Sequence, residues 1–263
     1  MRKASNNEIK LLRKLNRKKY REKEQRFVVE GERAVEQVIE NGLVGVETVF
    51  VGERFKVQES SFKGVEICIL EDEVFAEVAD TENPQGILAV CKMPEEIQLE
   101  KLAVETGIIV ATDAIQDPGN MGTILRTAAW FGAKALIAGK GSVDVYHPKV
   151  VRSTAGATGS IPVLTGDLEE IFNELESSGW QVMLLDGGES AEPLRSVQPT
   201  KKTILVVGNE GNGINKNLLN SGRKKVKIES ALGQEKVESL NAAVAVSIFL
   251  FQLSVNCNSH DLI

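Results

Sequence analysis

The apolar run Ile108-Ile109-Val110-Ala111-Thr112 leads directly into Asp113-Ala114-Ile115-Gln116-Asp117-Pro118-Gly119-Asn120-Met121-Gly122, and then into Thr123-Ile124-Leu125-Arg126-Thr127-Ala128. A short apolar run, a turn dense in Asp, Pro, Gly and Asn, and a helical pattern over about 121–131 read as strand, loop and helix. The alternation continues downstream. Apolar runs at Ala135–Ala138, Gln181–Leu185, Thr203–Val207 and Lys225–Ile228 predict strands, with helical patterns near 147–156, 167–178, 214–220 and 239–254 between or after them. Strands alternating with helices predict an α/β fold whose mainly parallel sheet is covered on both faces. Ligands in such sheets bind beyond the carboxyl ends of the strands, so the polar, glycine-rich loops there are where chemistry belongs.

Upstream of this pattern, Ser5-Asn6-Asn7-Glu8 fits a capping box, and Ile9, Leu12 and Leu15 follow at helical spacing with Lys and Arg on the other faces. A second helix is expected from Glu32 to Glu40, ending at Gly42. Strand-like runs at Val46–Val51, Val65–Leu70 and Ile87–Val90, with a helix over Asp72–Val78, complete a small α/β unit. Met93-Pro94-Glu95-Glu96 breaks the pattern and sets a linker at about residues 92–104. The expected organisation is a smaller domain over residues 1–97 and a larger one over 98–263.

Composition narrows the class. The chain has 263 residues, 42% hydrophobic and 26% charged, with 7 prolines, which excludes disordered and collagen-like chains. No run of about 18 uncharged apolar residues is present, so no membrane partner is expected. Cys68, Cys91 and Cys257 are an odd, widely spaced set that fits neither a disulfide framework nor a C-x-x-C metal site. With no apolar signal segment at the basic N-terminus, a cytoplasmic location is the simplest expectation. Charge is uneven: residues 1–26 carry 11 Lys and Arg against 3 Glu, a net of +8, while the rest of the chain is strongly acidic. That basic end either docks a polyanion or is a solvated helix face, and charge alone leaves both open.

Three loops concentrate the candidate residues. In the first, Asn120 can cap the following helix, and Arg126 sits a little under two turns along it. The second, Val206-Val207-Gly208-Asn209-Glu210-Gly211-Asn212-Gly213-Ile214, has three glycines in six residues after a strand, a bend whose backbone can touch a flat ligand. It matches neither a P-loop nor the dinucleotide fingerprint, and a plain turn with Glu210 solvated is an equal reading. The third, Glu238-Ser239-Leu240-Asn241, opens a helix that is apolar nearly all round. Ser239 or Asn241 reads first as its N-cap, and the helix's spare apolar face is one that another subunit can cover.

Taken together, N-M-G-T-I-L-R-T-A-A-W-F-G at 120–132, G-N-E-G-N-G at 208–213 and E-S-L-N-A-A-V-A at 238–245 resemble the motifs of the SpoU (TrmH-like) branch of the SPOUT RNA methyltransferases. Phe27-Val28-Val29-Glu30-Gly31-Glu32-Arg33 and Thr81-Glu82-Asn83-Pro84-Gln85-Gly86-Ile87-Leu88-Ala89-Val90 look like that family's substrate-binding domain. The resemblance implies an enzyme that transfers a methyl group from S-adenosylmethionine to a ribose 2′-hydroxyl of structured RNA, with a C-terminal trefoil knot and a homodimer formed through the catalytic domain. It implies that Arg126 approaches the hydroxyl with Asn120 beside it, and that Glu210, Ser239 and Asn241 shape the site. Gly208, Asn209, Gly211 and Gly213, with the backbone around Ile228 and Leu240, would hold the cofactor. One stretch departs from the family: residues 228–237 lack the proline usual before the third motif and run about two residues longer, which bears on cofactor affinity.

The chemistry suits these residues. A ribose hydroxyl stays protonated near neutral pH, so its attack on a methyl carbon requires charge stabilisation, which a fixed guanidinium supplies. Arginine's high pKa disfavours it as a base, leaving an RNA phosphate or Glu210 as possible proton relay. The reaction read this way needs no metal. His147 and His260 lack companions and read as surface or capping residues; the cysteines lack the Pro-Cys setting of a covalent base methyltransferase. Arg152-Ser153-Thr154-Ala155-Gly156 is either a phosphate contact or an ordinary helix end. The expected substrate is ribosomal RNA; transfer RNA, or a non-catalytic RNA-binding or assembly role, is the alternative.

Overall fold

The structure is a computed structural model and describes residues 1–57, 62, 64–81, 84–198, 200–231 and 239–256. The chain divides into two compact units, Met1–Glu95 with Asp144–Ser160, and Glu96–Val143 with Ile161–Ile263.

In the first unit the order is β1 (Arg2–Lys3), α1 (Asn6–Leu15), α2 (Lys18–Glu24), β2 (Arg26–Glu30), α3 (Glu32–Asn41), β3 (Val46–Gly52), β4 (Glu66–Leu70), α4 (Asp72–Val78) and β5 (Ile87–Lys92). The sheet order is β1-β4-β3-β5-β2, with β5 antiparallel to both neighbours and the other pairs parallel. Alternation along the strands sends consecutive side chains to opposite faces. Val49, Val51 and Ala89 join Phe27, Val35 and Val38 in one core, while Phe50, Leu88 and Val90 join Leu12, Leu15 and Phe75 in the other. The capping box forms as expected: the Ser5 hydroxyl accepts from the Glu8 N–H, and the Glu8 carboxylate accepts from the Ser5 N–H at 2.7 Å. Glu8 also holds Arg2, and that ion pair keeps its carboxyl at about 2. Helix α3 ends at Gly42 in the left-handed region, φ 77°. Three elements were not expected: the two-residue β1, α2, whose sequence Lys-Lys-Tyr-Arg-Glu-Lys-Glu has no apolar stripe, and β2.

The second unit continues with α5 (Leu99–Val104), β6 (Gly107–Asp113), α6 (Pro118–Trp130) and β7 (Ala135–Gly139). The chain then enters α7 (Pro148–Ser153), and goes on through β8 (Val163–Gly166), α8 (Leu168–Ser177), β9 (Gln181–Leu185), β10 (Glu192–Pro193), β11 (Lys202–Gly208), α9 (Lys216–Leu219), β12 (Lys224–Lys227) and α10 (Ala242–Asn256). Helix α5 occupies residues expected to be linker. Its Leu102 is fully buried, and the Leu102 carbonyl accepts from the Trp180 indole at 3.2 Å. All seven strands are parallel, in the order β10-β12-β9-β11-β6-β7-β8. Central β11 pairs with β6 along its whole length, from Lys202 opposite Gly107 to Gly208 opposite Asp113. Two candidate loops therefore leave the sheet side by side.

A contiguous division at residue 97 places Asp144–Ser160 in the larger domain, yet this segment groups with the first unit. Specific bonds explain why. The Arg21 guanidinium, 1% exposed, donates to Asp144 at 2.6 and 3.0 Å and to the Leu15 carbonyl at 2.9 Å. The Asn41 amide donates to the carbonyls of Gly156 and Thr158 at 2.9 and 3.0 Å. Arg152 pairs with Asp80, the Tyr146 ring lies 4.7 Å from that of Phe27, and Val151 is part of the Phe27 core.

Helix α10 buries Val246, Phe249, Leu250 and Leu253 and leaves Val244, Ile248, Phe251 and Val255 exposed along one stripe. Among the described residues no helix is long and apolar enough to cross a membrane.

Candidate active site

Helix α6 is capped by Asp117, whose carboxylate accepts from the Asn120 N–H at 2.7 Å, with Pro118 in the first turn. Asn120 is therefore not the cap, and its side chain is free to reach two other loops. Its amide donates to Glu210 at 2.9 Å, and its carbonyl oxygen accepts from the Asn241 amide at 2.8 Å. Asn241 in turn caps α10, accepting from Ala243 and Val244 N–H at 3.0 and 3.3 Å. A single chain of hydrogen bonds, Glu210 to Asn120 to Asn241, thus joins the loop after β6, the loop after β11 and the start of α10.

Glu210 also accepts from the backbone N–H groups of Gln116 and Asp117 at 3.4 and 3.3 Å. Burial opposes ionisation of Glu210, but these donors and Asn120 outweigh it and hold its carboxyl below the usual range. Glu210 is exposed, as the plain-turn reading expects, yet its oxygens also accept these hydrogen bonds. A carboxylate whose two oxygens already accept hydrogen bonds is a weak proton acceptor, so its geometry suits fastening loops.

The glycine bend is closed by mutual bonds between Asn209 and Gly213, N–H to carbonyl in both directions at 3.0 and 2.9 Å. The Asn209 side chain is spent inside the loop: its oxygen accepts from Gly211 and Asn212 N–H, and its nitrogen donates to the Ala114 carbonyl at 2.8 Å. Ala114, at φ 55°, holds a left-handed conformation that costs a non-glycine residue of order 1 kcal/mol, and the Asn209 bond helps to fix it. At Gly208 an added Cβ would lie 2.3 Å from the Gly213 carbonyl carbon and the Ile214 nitrogen. Only glycine permits the bend to fold back so closely.

The remaining candidates stand outside this cluster. Arg126 is exposed and makes no hydrogen bond or ion pair among the described residues; it shares an exposed face of α6 with Thr123 and Trp130, the latter 84% exposed. Ser239 and Leu240 are exposed just before Asn241. Ile228 follows β12, which is separated from β11 by β9. That order also brings the turn Asp186-Gly187-Gly188, after β9, between the loops of β11 and β12. Sequence reading passed over this turn, although a Gly pair just past a strand is its signal. It also passed over Asp113, which accepts from the Asn215 N–H at 2.6 Å, and over Asp117, marked by the proline that follows it.

His147 is the N-cap of α7, accepting from the Lys149 N–H, and burial together with Arg21 lowers its pKa. Arg152 is neutralised by Asp80. Burial pushes the Cys68 and Cys91 thiols up, which leaves them protonated and unreactive. Cys257, His260 and Glu238 lie outside the described residues, as does the departing stretch beyond residue 231.

Two family models match this chain. Residues 107–251 match the SpoU rRNA Methylase family model and residues 6–89 that of the MRM3-like substrate binding domain. The 23S rRNA (guanosine(2553)-2′-O)-methyltransferase RlmP of Bacillus subtilis is 35% identical over 252 residues, covering 95% of this chain and 97% of that one. The mitochondrial rRNA methyltransferase 3 of Homo sapiens is 26% identical over 89% of this chain and 68% of its own length. Among solved structures, an AdoMet-bound rRNA methyltransferase from Sinorhizobium meliloti superposes with a TM-score of 0.85 at 25% identity, covering 98% of this chain and 99% of that one. Fold and site together define an S-adenosylmethionine-dependent RNA ribose 2′-O-methyltransferase. The chain belongs to the SpoU rRNA methylase family, whose membership implies the trefoil knot.

Proposed function

We propose that this protein methylates a ribose 2′-hydroxyl of large-subunit ribosomal RNA, with Asn120, Arg126, Glu210, Ser239 and Asn241 as its working residues. The observation that carries the reading is the bonded chain Glu210–Asn120–Asn241, which draws three loops distant in sequence to one edge of the sheet. The Bacillus subtilis and Homo sapiens relatives are rRNA methyltransferases, which favours ribosomal over transfer RNA.

S-adenosylmethionine, when bound, supplies an electrophilic methyl carbon. The tight bend at Gly208, where a Cβ would strike the backbone of Gly213 and Ile214, is the backbone cradle assigned to the cofactor, with Gly208, Asn209, Gly211, Gly213, Ile228 and Leu240 as the residues to hold it. Arg126 stabilises the charge that develops on the attacking oxygen: among the described residues no carboxylate neutralises its guanidinium, so its donors are available to RNA. Asn120 positions the hydroxyl, and Glu210 fixes Asn120 and the backbone of Gln116 and Asp117. Ser239 is exposed two residues before Asn241 and is assigned to the same site.

Residues 1–97 hold the RNA. Lys10, Lys14, Arg17, Lys19 and Lys23 are exposed and lack ion pairs among the described residues, which leaves them for phosphates. The exposed apolar stripe of α10, including Phe251 at 59%, is the face of a homodimer, readable by sedimentation. The enzyme works in the cytoplasm.

The test is transfer of labelled methyl groups to ribosomal RNA, with nucleoside analysis for 2′-O-methyl products, on wild type and Arg126→Ala. The variant should lose about 100- to 1000-fold in kcat with cofactor affinity unchanged. Retention of most activity removes Arg126 from its role, and absence of any 2′-O-methyl product from the wild type removes the reading itself.

A further inference from the structure

The loop that follows β3 carries an aromatic ring in an unusual setting. Phe55 is 39% exposed, between Arg54 and Lys56. A Cβ built on Gly86 would lie 2.2 Å from the ring's Cγ, 2.2 Å from Cδ2 and 2.4 Å from Cδ1. Near-equal distances to these three carbons put that position over the ring rather than at its edge, so the ring lies face-down on the glycine backbone. Gly86 itself has φ 76°, and its carbonyl accepts from the Gly52 N–H at 3.0 Å. The Gly52 Cβ position is 3.1 Å from the ring edge, and the Phe75 ring is 6.4 Å away, tilted by 34°. One face and part of the rim are thus supported by backbone and a second aromatic, and the exposed surface belongs to the sides these groups do not cover.

Charge surrounds this ring. Arg54 is held by Asp72 at 2.8 Å, and Lys56 has no ion pair among the described residues. Two residues before Phe55, Glu53 lines a cavity of about 350 Å³ together with Lys3, Lys10, Arg13 and Glu71. Within this lining Lys3 is shared by Glu53 and Glu71 at 4.0 and 3.8 Å and Arg13 is held by Glu77 at 2.6 Å, while Lys10 has no ion pair among the described residues. An exposed ring on a rigid floor, with unpaired Lys56 beside it and unpaired Lys10 in the cleft that Glu53 lines, is the combination that holds a single-stranded nucleotide: base on the ring, phosphate on the cations. A ring kept only to cover the Gly52–Gly86 seam needs no exposed face and no cationic neighbours.

We infer that Phe55 is a stacking platform for an unpaired base of the substrate RNA, whose phosphates are met by Lys56 and Lys10. This rests on the proposal that the first domain holds RNA, and it is tested apart from it. In RNA-binding titrations with a ribosomal RNA fragment, Phe55→Leu, which keeps apolar cover, should bind about tenfold more weakly. Phe55→Tyr should bind like the wild type, and all three should share one salt slope, because no phosphate contact changes. At saturating RNA the kcat for methyl transfer should stay within twofold for both variants. Binding by Phe55→Leu equal to wild type, or failure of Phe55→Tyr to restore it, overturns the platform while leaving methylation intact. Ultraviolet cross-linking of the unaltered protein to RNA supplies a readout independent of folding. An adduct on the peptide carrying Phe55 supports the inference, and an adduct map lacking that peptide overturns it.

Discussion

Replacing Glu210 by glutamine keeps the length of the side chain and removes its charge. In the wild type, Oε1 faces donors from Asn120 at 2.9 Å and Asp117 at 3.3 Å, while Oε2 faces Gln116 at 3.4 Å. Glutamine has only one oxygen. Its least costly orientation keeps that oxygen toward Asn120 and turns its NH2 toward the Gln116 N–H, donor against donor. The Asn120 bond falls from charge-assisted to neutral, a loss of about 1 kcal/mol, and the displaced backbone donor adds up to about 1 kcal/mol because solvent reaches this exposed side chain. A total of about 1–2 kcal/mol corresponds to about 5- to 30-fold in kcat/KM. Steady-state methyl transfer to a ribosomal RNA fragment measures this, with thermal melting as a control for folding. The same clamp sets a pH dependence. Because the folded pKa of Glu210 lies below its ordinary value of 4.5, its contribution is complete above that value and is lost as pH falls through the lowered one. Glu210→Gln should lack that acid limb. A variant within twofold of wild type at neutral pH, with its Asn120 contact intact, refutes the claim that this carboxylate positions the site.

Gly208→Ala places a methyl group 2.3 Å from the backbone of Gly213 and Ile214, so calorimetry should find S-adenosylmethionine binding lost or weakened at least about 100-fold; normal affinity contradicts the cradle. Asp144→Ala leaves the Arg21 guanidinium buried without its partner and should cost about 3–5 kcal/mol by denaturant titration, whereas under about 1 kcal/mol the pair is not what holds the segment. Deleting residues 1–97 should weaken RNA binding and flatten its salt dependence. It should also lower the melting temperature, since Asp144–Ser160 loses Arg21, Asn41 and Asp80.

The middle of the parallel sheet was legible because β6, β7, β9 and β11 are buried on both faces and appear as unbroken apolar runs, such as Ile108–Ala111 and Ile204–Val207, whereas β8 and β10, half-exposed and short, give no such run and were not expected. Helix α2 was not, because Lys18–Glu24 exposes nearly all its side chains and gives no apolar period. Its one buried residue, Arg21, is anchored by an aspartate 123 positions away. At the site, the residue types at 120, 210 and 241 marked the right loops. What one dimension hides is the division of labour: Asp117 takes the capping duty that Asn120 appeared to have, and only then does Asn120 become the joint between Glu210 and Asn241. The excursion of Asp144–Ser160 carried no signal either, since its partners Arg21, Phe27, Asn41 and Asp80 are dispersed along the chain.

That excursion has a consequence for synthesis on the ribosome. The chain passes between the two units at residues 95/96, 143/144 and 160/161, so the amino-terminal unit lacks part of its own interior until residue 160 has left the exit tunnel. By then β6, α6 and β7 have already emerged. The order of birth is therefore interleaved: the segment bearing Asn120 and Arg126 is exposed to solvent before the amino-terminal unit can close over Val151, and neither unit is a bead that can be cut off the string at one place.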